Sequence, residues 1–225
     1  GNQFWKNINI GDAQSALNQQ ISGCLSADQL IKYGSTRIVF GKDITNSYSS
    51  PSVAENNPTT ILVKVSHVAA RLDFSQFDVT LKGFEGNPTV VFDEAKFVNL
   101  QQNGKIVEGD ASVNVKDGAF LNRSNRIGTR WTDMGTAYGY ANQYRQDSEM
   151  NTALYVKFTV DGRTFEKTYP INPAGITKEV DHNGIKGGYL YDIKVRWTIT
   201  PDWGDSTIEF YTRDWVHNSI PEIVL

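Results

Sequence analysis

Six apolar residues stand at every second position near the end of this chain. Tyr189, Tyr191, Ile193, Val195, Trp197 and Ile199 alternate with Leu190, Asp192, Lys194, Arg196 and Thr198. A helix would scatter these positions around its circumference, whereas an extended chain puts all six on one face. The pattern predicts a strand about 35 Å long at ~3.3 Å per residue. His182-Asn183-Gly184 and Gly187-Gly188 read as the loop that precedes it. Pro201 ends it, because proline has no N–H to donate to a ladder.

A hairpin is legible just upstream. Leu154, Val156, Phe158 and Val160 share one face, and Asp161-Gly162 follows them. Asp-Gly suits a two-residue type I′ turn, whose central residues both need positive φ. Counting outward from that turn sets Phe158 opposite Phe165 and Leu154 opposite Tyr169, on the same face.

A third stretch starts at Thr60. Ile61, Val63 and Val65 hold one phase; Val68, Ala70, Leu72 and Phe74 hold the other. One extra residue near Ser66-His67 accounts for the change, so a bulge or bend is expected there. Shorter strands are expected at 79–81, 90–92, 97–100 and 106–108, the last after an Asn103-Gly104 turn. Residues 37–40 form another short candidate, and 12–30 have a loosely helical order. The stretch 122–150 has no period and reads as a long loop. Turn and linker residues at 45–58 place a boundary near residue 58, leaving 1–58 as a partial or truncated N-terminal region and 59–225 as a C-terminal β-sandwich domain. Many short strands with turn punctuation imply an all-β, antiparallel sandwich with Greek-key connections.

Composition removes several function classes. The 225 residues carry 22 Lys+Arg against 25 Asp+Glu, a net charge of -3, which argues against nucleic acid as a partner. Aromatics reach 12% beside 19 Gly, which disfavours an all-α bundle. Cys24 is the single cysteine, so no intrachain disulfide forms. No apolar run approaches the ~20 residues of a membrane helix. The first residues lack the apolar core of a signal peptide and do not include an initiating Met, which reads as a processed or trimmed form.

Catalytic and metal-binding patterns are missing. His67, His182 and His217 show no metal-ligand spacing, and a structural or surface role is expected for each. There is neither a phosphate-binding glycine loop nor a Gly-x-Ser-x-Gly elbow. The carboxylates are scattered; a hydrolase built on them is the third reading of this chain, and Asp202, Asp205 and Ser206 are an incomplete calcium loop. Cys24 is expected to pack as a small hydrophobe. No catalytic residue, cofactor or metal site is therefore assigned, and the chain is read as non-enzymatic.

Two aromatic groups stay unassigned. Trp131, Tyr138, Tyr140 and Tyr144 lie among Gly135, Gly139, Asn142 and Gln143. Such rings with adaptable amides suit sugars or protein surfaces, or else fold back over the sandwich edge. The tail carries Ile208, Phe210, Tyr211, Trp215, Val216 and Ile220. It either completes its own sheet or adds to the edge of another copy. About ten ladder hydrogen bonds at ~1 kcal/mol net each would hold such a joint.

Three segments resemble Bacteroidales fimbrillins, the type V pilus subunits and fimbrial adhesins. Residues 60–74, reading Thr-Ile-Leu-Val-Lys-Val-Ser-His-Val-Ala-Ala-Arg-Leu-Asp-Phe, resemble the family's apolar strand followed by Val-Ala-x-Leu/Val-Asp, with one extra residue between Ala69 and Leu72. Tyr169-Pro170-Ile171-Asn172-Pro173, the loop 182–188 and the strand from Tyr189 to Val195 resemble its closing pattern. A tail with Trp before a last apolar strand also fits. The resemblance covers residues 60–225. It implies transthyretin-like or immunoglobulin-like β-sandwich domains, export as a lipoprotein, N-terminal trimming and joining by donor-strand exchange. The implied partners are other pilus subunits and a host protein or glycan, with the full precursor lipid-anchored. The implied location is extracellular, on the bacterial surface at the outer membrane. Residues 1–58 are too few for a full N-terminal sandwich, and nothing marks Arg37 as a cleavage point. The alternative reading is a carbohydrate-binding module of a secreted protein, which requires Trp131, Tyr138 or Tyr140 to be exposed in a row.

Overall fold

The computed structural model describes residues 20–35, 60–61, 63–107, 111–122, 126–173, 182–202, 204–214 and 223–224. Its strands are β1 (Gln20–Ser22), β2 (Lys32–Tyr33), β3 (Thr60–Ile61), β4 (Ser66–His67), β5 (Ala70–Leu81), β6 (Val90–Val98), β7 (Leu100–Gln101), β8 (Asn103–Lys105) and β9 (Val115–Lys116). They continue with β10 (Phe120–Asn122), β11 (Arg126–Ile127), β12 (Arg130–Gly139), β13 (Ala153–Val160), β14 (Arg163–Pro170), β15 (Tyr189–Ile199), β16 (Gly204–Asp214) and β17 (Ile223–Val224). No α-helix occurs among the described residues.

Two sheets carry the fold. One has the order β12-β5-β15-β16; the other has β10-β6-β13-β14, with β11 also on β6. The chain changes sheet from β5 to β6, from β11 to β12, from β12 to β13 and from β14 to β15. The result is the all-β sandwich the sequence implied, with one departure from a purely antiparallel plan. β15 runs parallel to β5. A parallel pair needs a long crossover, and everything from β6 to β14 provides it.

Apolar alternation fills the space between the sheets. Leu72, Phe74 and Phe77 from β5 meet Phe92, Phe97, Leu154, Val156 and Phe158 from the other sheet, all fully buried. Phe77 is the hub: its ring lies 5.5 Å from Phe92, 5.3 Å from Trp131 and 5.2 Å from Phe158. Each such pair adds about 0.5–1.5 kcal/mol beyond simple burial. Trp197 closes the far end, 5.1 Å from Phe158.

The β13–β14 hairpin has the register counted from its sequence, with Phe158 opposite Phe165 and Leu154 opposite Tyr169. Asp161 and Gly162 have φ of 45° and 82°, as a type I′ turn requires. β15 spans the expected residues, and its partner β16 pairs from Ile199–Gly204 to Tyr189–Asp214.

Elsewhere the structure corrects the expectations. The single bulged strand from Thr60 is three strands. Ser66-His67 pairs with Tyr33 and Lys32, and the chain bends at Val68-Ala69 before β5 begins. The extra residue sits instead at Ser75, where both neighbouring ladders shift register. Its hydroxyl donates to the Asp192 carboxylate on β15. That bulge moves the buried phase from Leu72 and Phe74 to Phe77 and Val79, so 79–81 is the end of β5 and not a separate strand. Likewise 90–92 and the start of 97–100 belong to one strand, β6, which stops at Asn99 with φ of 56°. Asn103-Gly104 is inside β8 rather than a turn, and residues 106–107 form a bend where a strand was expected. In the loosely helical stretch, Gln20–Ser22 is a strand and 27–29 a turn. The candidate strand at 37–40 lies outside the described residues.

The largest correction concerns 122–150. Ten of its residues form β12, antiparallel to β5. Asp133 and Gly135 have φ of 52° and 141°, and the register shifts between Thr132 and Gly135. Its buried positions, Trp131, Met134 and Gly139, therefore follow no period of two.

Residues on both sides of position 58 share ladders. β1 pairs with β8, and β2 with β4. Tyr140 donates its hydroxyl to the Gly23 carbonyl at 2.7 Å, and its ring lies against Gly104, where any Cβ would overlap it.

Candidate functional site

The predicted aromatic loop does not present its rings together. Trp131 is 3% exposed and stacked on Phe77. Tyr140 is 1% exposed, and burial pushes its phenol up to about 12, with the nearby Cys24 thiol adding to the shift. Both are corrected from binding rings to packed ones, because β12 turns them toward the sandwich and toward β8. Tyr138 and Tyr144 are half-buried. The row of exposed aromatics that the carbohydrate-module reading requires is thus absent from these four residues.

The tail divides at Asp214. Gly204–Asp214 pairs within the chain as β16, and Ile208, Phe210 and Tyr211 lie on it. Tyr211 is 52% exposed, with Lys194 Nζ 4.7 Å from its ring centre. Among the described residues β16 pairs with β15 alone, so its other edge carries no ladder. Trp215, Val216 and Ile220 lie outside the described residues. The backbone of β17 pairs with β3 through Ile223–Ile61 and Val224–Thr60.

Cys24 is exposed, not packed as a small hydrophobe, because Gly23 and Cys24 turn the chain outward with φ of 72° and 55°. Among the described residues no group of three or more His, Cys, Asp or Glu gathers to hold a metal. None of the described helices is long and apolar enough to cross a membrane. His217 lies outside the described residues.

A different place in the fold has the features of a site. At one end of the sandwich a cleft of about 890 Å³ opens between 66–68, 101–106, 140–145 and 182–189. Its floor is tightly tied. Asn142 and Ile185 exchange backbone hydrogen bonds at 3.0 and 2.9 Å. Buried Asn142 also donates from Nδ2 to Thr152 Oγ1 at 2.9 Å and to the Met150 carbonyl at 3.0 Å. Fully buried Tyr191 accepts the Lys186 N–H at 2.7 Å, and its hydroxyl meets His182 Nε2 at 2.8 Å. Desolvation in this setting raises the Tyr191 phenol well above its ordinary value. A Cβ on Gly184 would come within 2.4 Å of the Asn142 carbonyl oxygen and the Tyr144 nitrogen, and φ there is 75°. A Cβ on Gly187 would come within 2.2 Å of the Val68 carbonyl oxygen. Only glycine lets the 182–188 loop sit this close to its neighbours.

Sequence reading reached only one wall of this cleft, through Tyr140, Asn142 and Gln143 of the candidate loop. Its lining comes from segments more than a hundred residues apart, and none of them has a periodic or spaced motif. The other available signal is the Asn-Gly-x-Lys-Gly-Gly loop before β15, which stands out only through its glycines.

No protein-family model matches the sequence, and no curated protein matches it. Solved structures do. A candidate cell adhesion protein from Parabacteroides distasonis superimposes with a TM-score of 0.54 at 20% identity, over 67% of this chain and 53% of that one. This chain shares that protein's fold. A fimbrilin from Porphyromonas gingivalis aligns over 68% of this chain and 60% of that one, at 14% identity and a TM-score of 0.43. The tip fimbrial protein of Porphyromonas gingivalis aligns over 68% and 54%, at 14% identity and a TM-score of 0.39. The match thus spans about half of the Parabacteroides protein's length.

Proposed function

We propose that this chain is a non-enzymatic structural and adhesive subunit of a fimbria-like assembly on a bacterial surface. The observation that carries the reading is the two-sheet sandwich it shares with a candidate adhesion protein, together with the fimbrillin-like segments 60–74, 169–173 and 182–195, which include residues of β3–β5, β14 and β15. Residues 59–225 are its sandwich unit, other subunits are its partners, and its precursor reaches the outer membrane as a lipid-anchored protein.

Subunits join by β-strand addition. Residues 204–214 already complete their own sheet, so the part of the tail left to exchange is the stretch after Asp214, with Trp215, Val216 and Ile220. The two-residue β3–β17 ladder is the contact that a second copy would replace. The open side of β16 is the sheet edge such a strand would need, since an unpaired edge recruits another strand.

Size-exclusion chromatography of the full chain and of a chain ending at Asp214 tests this. The full chain is expected to form concentration-dependent oligomers. The shortened one should stay monomeric, with β16 still paired. Oligomers of equal size from both chains, or a full chain that stays monomeric at every concentration, would remove strand addition from the reading.

A further inference from the structure

We infer that the cleft at the end of the sandwich is a binding site for a carboxylate-bearing saccharide, held by Arg145, Lys186 and Lys105 beside the ring of Tyr189. The inference names a ligand for the adhesive role proposed above and rests on that reading for its biological setting.

Charge is the first observation. The chain as a whole is acidic, at -3, yet among the described residues no Asp or Glu lines the cleft. Three cationic side chains do, from three separate segments: Lys105 at the end of β8, Arg145 after β12, and Lys186 before β15. The described lining is therefore positive inside a negative chain, and cleft walls concentrate such a field on an anion.

Availability is the second. Arg71, Arg130 and Arg196 on the outer sheet face all lie against carboxylates. Among the described residues the Arg145 guanidinium instead meets only the Gln143 carbonyl, at 3.3 Å. Its backbone, by contrast, is clamped on both sides by buried Asn151, whose Oδ1 accepts the Arg145 N–H at 2.9 Å and whose Nδ2 donates to the Arg145 carbonyl at 2.6 Å. The base of the side chain is thus fixed while its planar fork is left for a ligand. Such a fork matches a carboxylate in bidentate fashion, and these charge-assisted bonds are about twice as strong as neutral ones. Lys186 Nζ lies 5.7 Å from the centre of the Tyr189 ring, also without a carboxylate partner among the described residues.

The remaining chemistry favours a sugar over an acidic peptide. Half-buried Tyr189 offers a ring, and exposed Gln143 and Asn183 offer amides that both donate and accept, as ring hydroxyls require. The tied loop at 182–188 holds these groups in place before binding, which lowers the ordering cost. The volume of about 890 Å³ lies within the ~300–1,000 Å³ of small-ligand sites.

Titration of the purified full chain with sialyllactose, oligogalacturonate and lactose, followed by saturation-transfer NMR and calorimetry, tests the site. Both acidic sugars are expected to bind, more weakly as salt rises, and lactose at least about tenfold more weakly. Arg145→Gln and Lys186→Gln should each lose about tenfold in affinity at unchanged melting temperature, while Lys157→Gln, on β13, should lose nothing. Equal binding of lactose overturns the charge argument. Full binding by both cleft variants overturns the location. Tighter binding of a sulfated sugar or an acidic peptide overturns the ligand class, and no binding of either acidic sugar overturns the site altogether. Oligomer size, read on the same samples, reports on assembly separately.

Discussion

β12 and β15 lie on opposite sides of β5 and have nearly the same length, yet only one is legible in the sequence. β15 alternates without interruption, and Tyr191, Ile193, Val195, Trp197 and Ile199 are all buried. β12 buries Trp131 and Met134, three residues apart, because the left-handed backbone at Asp133 and Gly135 resets its phase. β15 sits inside its sheet between β5 and β16; β12 ends the same sheet. β15 pairs residue for residue with β16, which holds its pleat constant, whereas the equally central β5 takes up its extra residue at Ser75. An edge strand is free to bulge, and bulging also blunts the edge against unwanted pairing. Loss of period is thus no sign of a loop when Gly and Asp are spaced to allow a bulge.

The comparison breaks most sharply at tryptophan. Trp131→Ala and Trp197→Ala should each cost about 3–5 kcal/mol in urea denaturation, since both rings are in the core cluster. A Trp131→Ala cost under ~1 kcal/mol would put that ring back outside and restore the loop reading of 122–150.

A smaller effect is expected at the bulge itself. A Cβ on Gly135 would come within 2.9 Å of Leu121 Cβ, at φ of 141°. Gly135→Ala should lower stability by about 1–3 kcal/mol, while Thr198→Ala, half-buried on β15, should stay within ~1 kcal/mol. Thermal unfolding of the two variants compares an irregular strand with a regular one. Equal losses would mean that the bulge is not a point of constraint.

The smallest effect concerns the end of β12. Tyr140 holds its proton up to about 12 because burial disfavours the phenolate, against an ordinary value of 10.0. The folded state then binds more protons than the unfolded one between these values. Its contribution is fully present below pH 10 and is lost as pH rises through about 12. Tyr140→Phe should cost about 1 kcal/mol at neutral pH through the lost bond to Gly23, and should flatten the decline in stability above pH 10. An unchanged alkaline profile would mean that this phenol does not control it.

How far sequence reading reached depended on how local each feature is. The β13–β14 register was legible because a two-residue turn fixes which positions face each other. The tail's apolar patches were visible too, but their partner was not. A strand of that kind accepts any free edge, and the short connection from Ile199 to Gly204 brings β15 within reach first. Trp131 and Tyr140 look alike as aromatic residues near glycines whether they are buried or exposed. Lys105, Arg145 and Lys186 carry no pattern at all, because each belongs to a different connection and only the closed sandwich brings them to one cleft.

Sequence alone determined the all-β class, the hairpin at Asp161-Gly162 and the long strand before Pro201. Each follows from side chains alternating every second residue and from turn residues that permit positive φ, which are properties of neighbours in the chain. Tertiary structure decided that β15 runs parallel to β5, that the extra residue is Ser75, and that Lys105, Arg145 and Lys186 line one cleft. Those outcomes depend on which edges meet after the chain has crossed between sheets, and residues distant in sequence settle them by packing and pairing.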